Sequence, residues 1–312
     1  MIYTLTPNPC IDRTIKVPEI RFNWVMRSQN LHLDWGGKGF NVSRSLQQFG
    51  MESLALAWVG GGTGKMLSDG LQALGIQTDF VWVDKDTRTN TMIIEESSDW
   101  HIKVNEPGPS LSKEDIDQLF LKIETYAKKG DVWILSGSLP PGVPEHFYAD
   151  LIRLIKSRGA WVYLDTSGGA LRHGLDAVPY LVKPNLDEAS EIVGFRVADK
   201  EDAKRAALPF LRMGVTYCAL TMGGAGLLLA TQRKMVLAIP PKVKERNATG
   251  SGDSLLAGLI YALLKEMSLV EVARWAVATA TASVETEGVS TFDVERVQAL
   301  LPEVDSKVVN VM

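Results

Sequence analysis

Short apolar runs alternate with amphipathic stretches along most of the chain, and this alternation points to the fold before any single residue does. Residues 54–59, 132–135, 161–164, 180–182 and 217–221 are apolar runs of strand length. Between and after them, residues 65–74, 145–157, 186–193 and 200–213 repeat their apolar positions with a helical period. Strand and helix in succession predict βαβ units, hence an α/β protein with a mostly parallel sheet and helices on both faces.

Two stretches break the rhythm. Residues 13–34 and 87–104 alternate polar and apolar side chains, as in Thr91-Met92-Ile93-Ile94-Glu95 and His101-Ile102-Lys103-Val104. Too little chain lies between these runs for crossover helices, so they predict a small β-rich flap inserted into the α/β body. Trp24, Trp35 and Trp100 lie in or beside it, and an exposed apolar face there would invite a second subunit. Residues 255–264 form an apolar helix with no obvious polar face.

Composition narrows the function more than the fold. With 312 residues, 46% hydrophobic and 22% charged, the chain is expected to fold as one domain over 1–312 with the flap inserted. A formal net charge of -4 argues against a sequence-independent nucleic-acid binder, which needs a concentrated basic surface. Cys10 and Cys218 stand far apart, without disulfide-framework or zinc-ligand spacing. The start of the chain lacks a basic segment followed by an apolar run, and no later stretch reaches the roughly 18 apolar residues of a membrane span. No membrane contact and a cytoplasmic location are expected.

Candidate chemistry gathers in glycine-bearing segments. Asn247-Ala248-Thr249-Gly250-Ser251-Gly252-Asp253-Ser254 runs into the apolar helix, whose free amides and positive dipole end favour an anion. Asp253 is electrostatically odd in that place unless it works. A carboxylate there can take a proton from an attacking hydroxyl while the neighbouring amides stabilise the phosphoryl group under attack. A plain helix cap by Ser251 or Asp253 is the competing reading.

Asp34-Trp35-Gly36-Gly37-Lys38-Gly39-Phe40-Asn41-Val42 opens an amphipathic helix that ends near Gly50, and Lys38 and Asn41 suit a phosphate and hydroxyls. Thr6-Pro7-Asn8-Pro9-Cys10-Ile11-Asp12-Arg13 is stiffened by two prolines and offers Asp12 to two hydroxyls. Gly60-Gly61-Gly62-Thr63-Gly64-Lys65-Met66 imitates a Walker A loop, but Val59 stands where glycine is needed and Met66 where a hydroxyl is needed. No Gly-x-Gly-x-x-Gly follows the first strand in the manner of a dinucleotide fold.

Four more motifs follow in order: Thr87-Arg88-Thr89-Asn90, Ser136-Gly137-Ser138-Leu139-Pro140-Pro141-Gly142, Lys183-Pro184-Asn185-Leu186-Asp187-Glu188 and Thr221-Met222-Gly223-Gly224-Ala225-Gly226. Taken with those above, they make the chain similar to ribokinase-like sugar kinases, specifically the phosphofructokinase-B branch with its 1-phosphofructokinases and tagatose-6-phosphate kinases. Ser251 replaces the alanine of that family's Thr-Gly-Ala-Gly-Asp signature.

The resemblance implies a three-layer α/β/α domain with a small β-sheet lid, and ATP and Mg2+ as cofactors. It implies phosphoryl transfer to a ketohexose phosphate, with fructose 1-phosphate, giving fructose 1,6-bisphosphate, favoured over tagatose 6-phosphate. A 6-phosphofructokinase is less favoured, since such members commonly carry glycine at the Lys38 position. By the same resemblance Asp253 is the base and Gly250, Ser251 and Gly252 form the anion hole. Asp12, Gly37, Lys38, Asn41, Arg88 and Ser138 would hold the sugar phosphate, Arg88 through its planar fork. Lys183, Asn185, Thr221, Gly223, Gly224 and Gly226 would hold the nucleotide. Asn185 and Glu188, three apart at a helix start, would hold a hydrated magnesium through water, with helix capping the competing role for Asn185. A sugar-phosphate or nucleotide sensor that has lost catalysis is the alternative of a different class. The presence of Asp253, both flanking glycines and the Asn185/Glu188 pair weighs against it. The flap is expected to cover the sugar and to pair with its counterpart in a homodimer.

Overall fold

The computed structural model describes residues 1–28, 30–98 and 100–310, except the side chain of Asn310. In chain order its strands are β1 (Ile2–Thr6), β2 (Cys10–Val17), β3 (Asn30–Gly36), β4 (Leu54–Gly60), β5 (Gln77–Thr78), β6 (Val81–Val83), β7 (Arg88–Glu95), β8 (His101–Val104), β9 (Val132–Ser136), β10 (Trp161–Asp165), β11 (Leu181–Val182), β12 (Tyr217–Thr221), β13 (Leu227–Ala230), β14 (Lys234–Ile239) and β15 (Asp305–Asn310). The α-helices are α1 (Lys38–Gln48), α2 (Gly61–Ala73), α3 (Lys113–Tyr126), α4 (Phe147–Ser157), α5 (Gly168–Asp176), α6 (Leu186–Val193), α7 (Lys200–Arg212), α8 (Ser251–Leu264), α9 (Leu269–Val284) and α10 (Val294–Leu300).

Among the described residues the large sheet runs β15-β14-β13-β12-β11-β10-β9-β1-β4-β5, with β6 also paired to β4. Its strands are parallel from β5 to β12, and β13, β14 and β15 add an antiparallel edge. The chain leaves β1 to build β4 on one side, then returns to lay β9, β10, β11 and β12 on the other. Such a reversal opens a crevice at the carboxyl ends of the strands, where ligands of open α/β sheets bind.

Alternating strand residues face opposite layers. Tyr3, Leu5, Trp58, Trp133 and Leu164 pack with α3, α4, α5, α6 and α7. Ile2, Ile134, Tyr163 and Leu181 pack with α1, α8, α9 and α10, while Ala55, Ala57 and Val59 meet α1 and α2. Every residue of α8 from Asp253 to Ile260 is buried, because the helix lies between the sheet, α1 and α9. Its missing polar face is thereby explained. Helix α3, absent from the periodic reading, buries only Leu119 and Ile123 fully, so its apolar stripe is thin.

The flap is a separate four-stranded sheet in the order β3-β2-β7-β8. It reaches further into the chain than the alternation suggests, starting at Cys10 and ending its β3 strand at Gly36. Asp12 therefore stands on a ladder, paired with Asp34 and Asn90, instead of on a free loop. Trp24 and Trp100, in the connections β2–β3 and β7–β8, are 68% and 72% exposed. Trp35 differs: it packs so closely over α2 that a Cβ built at Gly70 would lie 2.0 Å from its ring. The Walker-like stretch is the β4–α2 junction, where the Gly60 amide donates to Thr87 Oγ1. No described helix is long and apolar enough to cross a membrane.

Candidate active site

The reversal at β1 brings helix starts and strand ends to one place. α1 and α8 both begin there, and one turn into α1 Asn41 Nδ2 donates to Asp253 Oδ2 at 2.8 Å. Both side chains are buried. Burial pushes the Asp253 carboxyl up, the Lys38 charge and the Asn41 hydrogen bond pull it down, Asp165 pushes it up again, and it settles at about 6. A buried carboxyl ionising near neutrality is suited to taking a proton.

The loop before α8 has a fixed shape. Gly250 has φ +78°, and a Cβ there would lie 2.3 Å from Ser290 Oγ, so only glycine fits both the turn and the neighbour. Ser290 Oγ donates to the Gly250 carbonyl at 3.1 Å, and that carbonyl also accepts the Asp253 and Ser254 amides. The Ser251 amide is drawn to the Ala248 carbonyl at 3.2 Å.

Behind this loop lies a residue the motif reading missed. Asp165 closes β10 and is fully buried; Lys38 Nζ donates to its Oδ1 at 3.0 Å and Lys183 Nζ lies 3.2 Å from its Oδ2. Burial disfavours its charge, but the two lysines prevail and hold its pKa below the usual value. A strand-final aspartate in Trp161-Val162-Tyr163-Leu164-Asp165, at the carboxyl edge of a parallel sheet, was the available signal.

Lys38, Lys183, Asn185, Thr221, Gly223, Gly224, Gly226, Ser251 and Gly252 all border one cleft of about 720 Å³. Its other wall is apolar and was not foreseen: Pro240, Pro241, Val243, Leu255, Val277 and Val284. A polar floor facing an apolar slot suits a nucleotide, phosphates on one and a flat base in the other.

Asn185 caps α6, accepting the Glu188 amide at 2.8 Å, while Glu188 Oε2 accepts the Asn185 amide at 2.9 Å. The competing cap role for Asn185 is thus present in the structure. Among the described residues no three His, Cys, Asp or Glu side chains gather as metal ligands. Glu188 retains Oε1, and burial, with Asp165 nearby, raises its pKa against the pull of its own cap bond. Such a donor set fits a cation that keeps most of its waters.

Asp12, Arg88 and Ser138 meet at the base of the flap. Asp12 Oδ1 accepts from Asn90 Nδ2 at 2.9 Å, and the carboxylate packs on bare Gly36, where a Cβ would lie 2.2 Å from Oδ2. Gly36 leads into Gly37, the N-cap of α1, which joins this end of the site to the other. Arg88 donates to the carbonyls of Asn8, Pro9 and Glu106 at 2.9, 3.4 and 3.0 Å. Carbonyls orient a guanidinium without cancelling its charge. Asn8 Nδ2 reaches Ser138 Oγ at 3.5 Å and the Pro107 carbonyl at 3.0 Å, tying the loop after β9 to the flap. Cys10 is buried beside Asp12; burial and the Asp12 charge raise its pKa, against the opposing pull of Arg88 and Lys103, so both cations stand near it. Asn8 and Asn90 are further residues the motif reading assigned no role.

A buried carboxyl at a helix start, two lysines on a shared aspartate and a cleft with a polar floor and an apolar wall suit a phosphotransferase. The chain belongs to the pfkB family of carbohydrate kinases, whose model matches residues 6–296. It is 35% identical over 304 residues to the 1-phosphofructokinase of Bacillus subtilis (strain 168), covering 97% of this chain and 98% of that one. It is 30% identical over 271 residues to a tagatose-6-phosphate kinase of Staphylococcus epidermidis, covering 86% and 87%. Phosphofructokinase-2 from Escherichia coli in complex with fructose-6-phosphate superposes with a TM-score of 0.90 at 28% identity, covering 97% and 98%.

Proposed function

We propose that this carbohydrate kinase transfers the terminal phosphoryl group of ATP to a hydroxyl of a ketohexose phosphate, with fructose 1-phosphate the preferred acceptor. The observation that carries the reading is the second cationic centre. Arg88, held by three carbonyls at the flap base, stands apart from the lysines of the nucleotide cleft, and a kinase acting on a neutral sugar has no use for it. The 1-phosphofructokinase relatives support the position of the phosphate; the tagatose-6-phosphate kinase relative keeps that sugar as the second choice.

In this reading Asp12 and Asn41 accept and donate to the sugar hydroxyls, and Arg88 and Ser138 hold its phosphate. Asp253 takes the proton of the attacking hydroxyl, and the amides of Gly250 and Gly252 serve the transferred group, joined by that of Ser251 once it leaves the Ala248 carbonyl. Glu188, with Asn185, would hold Mg2+ through water, where the ion neutralises charge on the nucleotide's phosphate oxygens. The flap covers the acceptor and excludes water. Phe22, Trp24, Val25 and Trp100, in the connections between flap strands, are exposed by 83%, 68%, 80% and 72%, which supports a homodimer through the flap.

The test is an ADP-release assay across fructose 1-phosphate, tagatose 6-phosphate, fructose 6-phosphate and the free sugars. The reading expects the highest kcat/KM on fructose 1-phosphate and little turnover of free fructose. Equal turnover of free and phosphorylated sugars would overturn it.

A further inference from the structure

The loop that carries Ser138 leaves the end of β9, and the residue before Ser138 is held by three hydrogen bonds. The ladder of β9 on β10 runs one bond beyond β9, the Gly137 amide donating to the Asp165 carbonyl at 2.9 Å. There the ladder stops, and the Gly137 carbonyl needs a partner from elsewhere. It accepts two hydroxyls, Tyr148 Oη from α4 and Thr166 Oγ1 from just past β10, each at 2.9 Å. A carbonyl oxygen has two lone pairs, and both are used. Gly137 has φ +102°, a turn that a side chain resists, and the exposed Ser138 follows it directly. Tyr148 and Thr166 are 0% and 2% exposed, too deep to touch a sugar. Core packing accounts for the Tyr148 ring but not for its hydroxyl, which costs stability in such a place unless it is bonded. Burial, with the Asp165 charge, raises the Tyr148 pKa, so the phenol keeps its proton and donates.

We infer that Tyr148 and Thr166 are positioning residues of the acceptor site: their hydroxyls fix the Gly137 carbonyl and so aim the Ser138 hydroxyl at the phosphate of the sugar. The inference rests on the acceptor reading of Ser138 above and adds two residues that no motif announces. A glycine has several backbone wells open to it, and without these bonds the peptide from Gly137 to Ser138 can swing. Such a swing re-aims the Ser138 side chain, and a hydrogen bond weakens steeply as its angle falls away. A loop fixed before the sugar arrives loses little further freedom on binding, and that saving appears as affinity. The Gly137 amide ties the same loop to the backbone of Asp165, the residue on which Lys38 and Lys183 converge. The acceptor loop is thereby registered on the strand that supports the nucleotide cleft.

The test is steady-state kinetics of Tyr148→Phe, Thr166→Val and the two combined, each alone and in a Ser138→Ala background, with fructose 1-phosphate and ATP varied separately. Each single change should raise the KM for fructose 1-phosphate about threefold to tenfold, and the combination more than either, with kcat and the KM for ATP within about twofold. Thr166→Ser keeps a hydroxyl and should stay near the parent value. In the Ser138→Ala background, where the aimed group is gone, the combined change should add less than about twofold. A folded combined variant with the parental KM for fructose 1-phosphate overturns the inference, because the hydroxyls then serve stability alone. An effect that falls on ATP, or that is as large without Ser138 as with it, overturns it too. Should the combined variant fail to fold, Tyr148→Phe decides by the same comparisons. Failure of the underlying reading looks different and takes the inference with it: Ser138→Ala by itself would leave the KM for fructose 1-phosphate unchanged, or the parent protein would turn over no sugar phosphate.

Discussion

The two ends of the site are built from different material. The transfer end rests on the closed carboxyl edge of the large sheet: Asp165, Lys183 and Asp253 are each at least nine-tenths buried, and α8 is enclosed by its neighbours. The proposed acceptor end rests on a four-stranded sheet whose β7 is only half-buried along its whole length. On the proposed function, the groups that act on the phosphoryl group are enclosed, and the groups that choose the acceptor stand on a half-buried sheet. Changes at the first end should cost turnover, and changes at the second should cost affinity.

The largest effect should come from Asp253→Asn, which keeps size but removes the base. A loss of about 100-fold or more in kcat is expected, with both substrates still bound when measured by calorimetry. Near-normal turnover in a folded mutant would reduce Asp253 to a helix cap.

Arg88→Ala should act on the opposite quantity. Loss of a charge-assisted contact worth about 1.5–3 kcal/mol predicts a rise of roughly 10- to 100-fold in the KM for the phosphosugar and little change in that for ATP. Gly250→Ala should come next, because its φ of +78° and the Ser290 hydroxyl leave no room for a methyl group. A stability loss of about 1–3 kcal/mol in denaturant unfolding is expected, together with reduced kcat. Unchanged stability would show that the loop yields.

The pH profile sharpens the same contrast. Burial raises Asp253 from 3.8 to about 6, so the base is protonated and idle below that value and free above it. The acid limb of kcat/KM should therefore bend near pH 6. A limb bending near 4 would mean that solvent reaches the carboxylate. The smallest effect is expected from Trp24→Ser with Trp100→Ser, which should shift the protein toward monomer in light scattering while kcat per folded chain changes least.

Much of this was legible in the sequence, and the limits have physical causes. The strands at 54–59, 132–135, 161–164 and 217–221 fall within β4, β9, β10 and β12, because a sheet buried on both faces must be written in continuous apolar runs. The cleft's glycines and Lys183 are reached through the family resemblance, since by themselves they read as a tight turn and a solvated strand-end lysine; the structure brings them to one cleft. Asp165 escaped because its partners, Lys38 and Lys183, are distant in the chain and no local pattern announces an ion pair. The apolar wall of Val277 and Val284 could not be told from core, since α9 buries most of its residues anyway. Ser290 takes φ +52°, a conformation rare outside glycine, and nothing in Gly288-Val289-Ser290-Thr291 requires it.

The most direct test of the account is the ratio of kcat/KM for fructose 1-phosphate over fructose, measured in the parent protein and in Arg88→Ala. A separate acceptor end predicts a large ratio that falls by at least about tenfold in the variant through KM for the phosphosugar, while kcat and KM for ATP hold. An unchanged ratio, or a loss that falls on ATP, would contradict the division of the site into two ends.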